Sequence, residues 1–201
     1  MLYRKTALRV AAPVAVLALA LTACGGGGDG DKDSAGTSKG GVRGTGESAT
    51  GEANEGLVSV VYDVTAQKVE LGTEAETAKM VAEPKLAKGL IPAVAHVKYT
   101  HESGPTLTQN PRASQPARVW ADGRRGTLIV GAADHAPGCE APSSIKGWKQ
   151  GESHVLCETY LVPKDAKDLE VHWSQENGEP FIWKFAAAKS TTKATAEPAT
   201  K

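Results

Sequence analysis

The chain has 201 residues, with 23 basic side chains balanced by 23 acidic ones. It is long enough for one domain and, once its polar ends are set aside, too short for two. A neutral balance with no basic stripe of interleaved aromatics argues against a nucleic-acid partner.

Arg4, Lys5 and Arg9 open the chain, and Val10 to Leu21 follows as an uncharged, apolar run broken only by Pro13. This is a signal-peptide layout over residues 1–23. Twelve apolar residues fall short of the roughly 20 that a spanning helix needs. The run closes on Leu21, Thr22, Ala23 and Cys24, which resembles the lipobox of bacterial lipoproteins. That resemblance implies cleavage just before Cys24 and acylation of its thiol. Acyl chains bury about 0.8 kcal/mol per methylene, so two or three of them would anchor the chain to the extracytoplasmic face of the cell membrane.

Residues 24–56 are expected to form a disordered tether. Between Gly25 and Glu55 there are eleven glycines, and Val42 is the one large apolar side chain, too little to offset ordering entropy. As a flexible Gly-rich chain the tether would span on the order of 30 Å. Residues 186–201, rich in Ala, Thr and Lys, read as a second loose segment.

Residues 57–185, with sixteen acids against fourteen bases, alternate with period two between Gly, Pro and Asp clusters, and this predicts strands. Val58, Val60, Tyr62 and Val64 share one face of the first, which Val69 and Leu71 continue after a bulge or turn. Ile91, Ala93, Ala95, Val97 and Tyr99 form the buried face of the second, opposite His96 and Lys98. Gly104 and Pro105 break that strand. Ala117 to Ala121 is the next, ending on the Asp-Gly turn of "ADGRRG" before Thr127 to Val130. Val155 to Val162, Leu169 to Trp173 and Phe181 to Phe185 complete the set. Seven or eight short strands in about 130 residues argue for an all-β, two-sheet sandwich, with a small barrel as the alternative.

Cys139 and Cys157 are the two cysteines left once Cys24 carries lipid. Outside the cytoplasm they are expected to form a disulfide, worth about 3 kcal/mol in the chain-entropy model. No Cys-x-x-Cys spacing supports a redox or metal pair.

Trp120 to Gly126, "WADGRRG", and Gly147 to Trp173, "GWKQGESHVLCETYLVPKDAKDLEVHW", resemble the telokin-like, immunoglobulin-like domain of unknown function found in many Gram-positive surface lipoproteins. Asp122 and Gly123 match that family's turn, and Gly151 matches the approach to a strand. Val162 and Pro163 match a strand end, and Leu169 to Trp173 the strand that follows. The resemblance implies a sandwich outside the cell and brings no shared activity with it.

Chemistry-bearing motifs are scarce. Five histidines show no His-Glu-x-x-His spacing, and alternation puts His96, His154 and His172 opposite the core, so no metal site and no cofactor is expected. A copper(I) carrier wants thioethers, and the chain has only Met1 and Met80. There is no Gly-x-Ser-x-Gly elbow, Ser153 and His154 are adjacent, and the pairs Glu74 with Glu76 and Asp165 with Asp168 fall in loops. The expectation is therefore a non-enzyme. Trp120 shares a strand face with Arg118, near Arg124 and Arg125. If that face is open, an aromatic among guanidinium groups suits a surface protein or an anionic glycan; if both faces are covered, Trp120 is core. These readings converge on a lipid-anchored binding module. The competing class is an accessory lipoprotein that binds a solute or metal for a membrane transporter, although a single small domain lacks an interlobe cleft.

Overall fold

The computed structural model describes residues 38–134 and 136–187. The expected signal segment, Cys24, the expected tether up to residue 37 and the expected tail beyond Ala187 lie outside the described residues. Among those described, no helix is long and apolar enough to cross a membrane.

The chain begins with β1 (Gly41–Arg43) and β2 (Ala49–Asn54), then the long β3 (Ser59–Leu71). A short helix, α1 (Glu74–Met80), and a 3-10 turn at Pro84–Ala87 lead to β4 (Leu90–Ser103). Next come β5 (Leu107–Gln109), β6 (Ala117–Ala121), β7 (Arg124–Arg125) and β8 (Thr127–Ile129). After a 3-10 turn at Pro142–Ser144 follow β9 (Lys146–Trp148), β10 (Ser153–Pro163), β11 (Asp168–Trp173) and β12 (Phe181–Ala186).

These strands make two five-stranded sheets, β2-β3-β4-β10-β8 and β1-β12-β11-β6-β7, while β5 and β9 pair separately. The sheets do not join into a barrel, so the sandwich expectation holds. With β1 and β2 set aside, β3-β4-β10-β8 and β6-β11-β12 lie in the A, B, E, D and C, F, G order of immunoglobulin-type sandwiches. Pairing within this set is antiparallel, whereas β1 runs parallel to β12.

Alternation explains which face of each strand turns inward. On β3, Val60, Tyr62, Val64 and Ala66 are fully buried while Val61, Asp63 and Thr65 stand outward, half-buried. On β6 the buried set is Ala117, Val119 and Ala121. The bulge expected after Val64 occurs between Ala66 and Lys68, and it restores Val69 and Leu71 to the core side. Between the sheets lie Trp148, Trp173, Trp183, Phe181 and three buried tyrosines. Each buried indole N–H finds a carbonyl: Trp148 at Glu152, Trp173 at Ala113 and Trp183 at Glu47. The Asp-Gly turn is also as read. Asp122 and Gly123 both take positive φ, 46° and 73°, closing the β6–β7 hairpin. Asp122 Oδ1 accepts the N–H groups of Asp168 and Lys167, which holds its carboxyl below the usual range and ties the turn to β11.

Three expectations need correction. Residues 38–56 are folded, not part of a loose tether, because β2 pairs with β3 along six residues and β1 edges the other sheet. The apolar surface missing from this segment is supplied by its neighbours. Ala49 and Ala53 are buried, and a Cβ on Gly51 would stand 2.6 Å from the Trp173 ring and 2.7 Å from that of Phe181. Ala186, assigned to the tail, is the last residue of β12. His96, expected on an exposed face, is 1 % exposed, because the loop bearing Cys139 folds over the outer face of its sheet. Helix α1 was not expected either, although Thr73 and Glu76 form a reciprocal capping box there.

Candidate functional site

Three groups of polar or aromatic side chains stand out. The first sits where the sandwich opens along one edge. Strand β8 pairs with β10 only from Thr159 to Leu161, and beside that short pairing Cys157, Glu158 and Tyr160 of β10 help to wall a cleft of about 710 Å³. Arg112, Arg118, Val130, Cys157, Glu158 and Tyr160 contribute to its lining. Glu158 Oε1 accepts the Ser114 hydroxyl at 2.8 Å, yet burial pushes its carboxyl above the usual range. Tyr160 donates to Ala117 O at 2.7 Å, and its phenol is likewise raised by burial. The Arg118 guanidinium donates to the carbonyls of Gln115 and Ala117, which fixes its charge at the cleft mouth.

The second group is the outer face of the β1-β12-β11-β6-β7 sheet. Trp120 is half-buried and stacks on His172, with ring centres 5.1 Å apart and planes 20° apart. His172 Nε2 bonds Glu170 Oε2 at 2.7 Å, and that bond is the main reason the Glu170 carboxyl lies low. Of the four residues the sequence puts forward, Trp120 and Arg125 are direct cross-strand partners. Arg118 shares their face by alternation, but its guanidinium turns to the cleft. Arg124 is exposed and opposes Ala121, so it belongs to the other face of the hairpin. Trp120 is therefore not core, and the open-face alternative is the one the fold adopts.

The third group adds two residues that the sequence did not bring together to a bridge that it did. Cys139 and Cys157 form the expected disulfide, with an S–S distance of 2.04 Å. Against it lies His96, with Nδ1 at 3.4 Å from Cys157 Sγ and 3.5 Å from Cys139 Sγ. Its Nε2 is 3.2 Å from Glu70 Oε2. Burial, with nearby Lys68 adding to it, lowers the imidazole pKa and favours the neutral ring. Lys68 and His96 in turn keep the Glu70 carboxyl low. The pairing of His96 with Cys157 across β4 and β10 could not be read from spacing, because 61 residues separate them.

Other candidate residues have structural occupations. Ser153 bonds Thr100, and His154 bonds Glu140 at 2.9 Å while its ring meets Trp148 edge-on. Glu74 pairs with Lys164 and Glu76 caps α1. Glu55, unremarked in the sequence, accepts the Tyr62 hydroxyl and the Arg112 N–H, each at 2.6 Å, and burial raises its carboxyl.

No family model matches the chain, and neither does any curated protein. Among solved structures, one described provisionally as a lipoprotein from Staphylococcus aureus aligns with a TM-score of 0.45 and 8 % identity. The alignment covers 71 % of this chain and 94 % of that one.

Proposed function

We propose that this protein is a lipid-anchored, extracytoplasmic binding module without catalysis, and that its contact surface is the outer sheet face centred on Trp120. The anchor rests on the lipobox-like ending at Cys24, and the resemblance to surface-lipoprotein domains agrees with it. The single observation that carries the contact surface is the half-buried Trp120–His172 stack beside Arg125, on a face that no other element covers completely. An indole plane next to a guanidinium suits an acidic patch on a surface protein or an anionic glycan, and Trp and Arg dominate binding hot spots.

The double variant Trp120→Ala, Arg125→Ala tests this. Binding of the purified protein to isolated cell envelopes should weaken at least about tenfold, or about 1.4 kcal/mol. Unchanged binding, with an unchanged melting temperature, would remove the surface from consideration.

One observation favours the accessory solute-binding reading. The cleft at the open edge carries two arginines, Arg112 and Arg118, and two carboxylates, Asp134 and Glu158, chemistry suited to a small polar ligand. A melting temperature that rises with one solute and is insensitive to the Trp120 variant would favour that reading.

A further inference from the structure

The cluster of Glu70, His96, Cys139 and Cys157 lies apart from the Trp120 face, and the binding role above does not use it. An ionised carboxylate only accepts hydrogen bonds, so the His96 nitrogen facing Glu70 carries the ring proton and Nδ1 presents a lone pair. That lone pair meets two sulfurs, at 3.4 and 3.5 Å, and the ring is only 1 % exposed, so water scarcely competes for it. A nitrogen and a sulfur bound to one tetrahedral zinc ion stand about 3.6 Å apart, given zinc distances of roughly 2.0–2.1 and 2.3 Å. Both nitrogen–sulfur separations therefore already match a metal site. A carboxylate on the far nitrogen is the partner by which metal-ligating histidines are held in tautomer and orientation. The covalent bond between the sulfurs is what blocks coordination.

We propose that reduction of the Cys139–Cys157 bridge by an external dithiol opens a binding site for a thiophilic d10 cation, with both sulfurs and His96 Nδ1 as ligands and Glu70 as the positioning residue. In the reduction the dithiol gives up two electrons and two protons and becomes a disulfide, while Cys139 and Cys157 become thiols. Zinc(II) binding then releases those two protons as the two sulfur–zinc bonds form. Three protein ligands leave a fourth position to water. The reductant and the ion have a route, because Cys157 lines the open-edge cleft and Cys139 is half-buried.

The test uses the purified full-length chain, reduced with an immobilised dithiol, separated from it and titrated with zinc(II) against a chromophoric chelator beside the untreated chain. One equivalent of zinc should bind to the reduced chain and none to the untreated one. Cobalt(II) in its place should give a thiolate-to-metal charge-transfer band. Glu70→Gln, at a half-exposed side chain, should weaken zinc binding by about 10–100-fold with an unchanged circular dichroism spectrum. His96→Gln should weaken it further. The proposal is overturned if the reduced chain binds no more zinc than the double variant Cys139→Ser, Cys157→Ser, if cobalt gives no such band, or if the β fold is lost on reduction. Undiminished affinity in Glu70→Gln overturns it as well.

Discussion

Gly51 illustrates how a single atom can be decisive in a segment that looks featureless. A methyl group there would enter the space held by Trp173 and Phe181, whose rings stack with planes 4° apart. Gly51→Ala should therefore destabilise the fold by about 1–3 kcal/mol, measured by chemical denaturation, as overpacking in a filled core does. Glu158 gives a prediction of opposite sign. Its carboxyl is raised by burial, so the unfolded chain ionises first and stability falls as pH climbs from the ordinary carboxylate value of 4.5 towards the raised one. Glu158→Gln keeps an acceptor for Ser114 and carries no charge. Its melting temperature should exceed that of the parent at pH 7, and the gap should close near pH 4. A gap that is the same at both pH values would contradict this. At this scale, legibility depended on what lies over the strand. Trp120 sits on the face that alternation gives it, whereas His96 also obeys alternation but is covered by a loop whose path no local pattern encodes.

Among the elements, the core strands were legible because each carries its own apolar face: Leu169, Val171 and Trp173, or Phe181, Trp183 and Phe185. Strands β1 and β2 were not, since they bring backbone pairing and small side chains to aromatics that belong to other strands. A chain beginning at residue 57 would lose β2 from the edge of β3 and the carbonyl of Glu47 from the Trp183 indole. Such a truncation should lose its cooperative thermal transition, while one beginning at residue 38 should keep it. Differential scanning calorimetry on the two would separate the shorter domain from the longer. Helix α1 was legible in principle through Thr73 and Glu76, but seven residues are too few for periodicity to register.

For the molecule as a whole, the near-neutral charge and the two-sheet sandwich followed from composition and strand spacing, while the strand order and the grouping of chemistry did not. The cleft and the histidine over the disulfide are each built from residues tens of positions apart in the chain. In the proposed reading, where the protein resides depends on Cys24. Cys24→Ser should shift the chain from the membrane fraction to the medium on immunoblotting; retention with unchanged mobility would contradict the anchor. If that tether holds, the parallel pairing of β1 with β12 acquires a mechanical meaning. Gly41 lies beside Phe181 and Arg43 beside Trp183, so the backbone enters this strand pair at one pole and departs at the other. A tug between Ser38 and Ala187 would drag the two strands past each other, straining their mutual contacts together instead of unzipping them one at a time. Loaded from those two ends, the domain presents the geometry in which a strand pair gives way least readily.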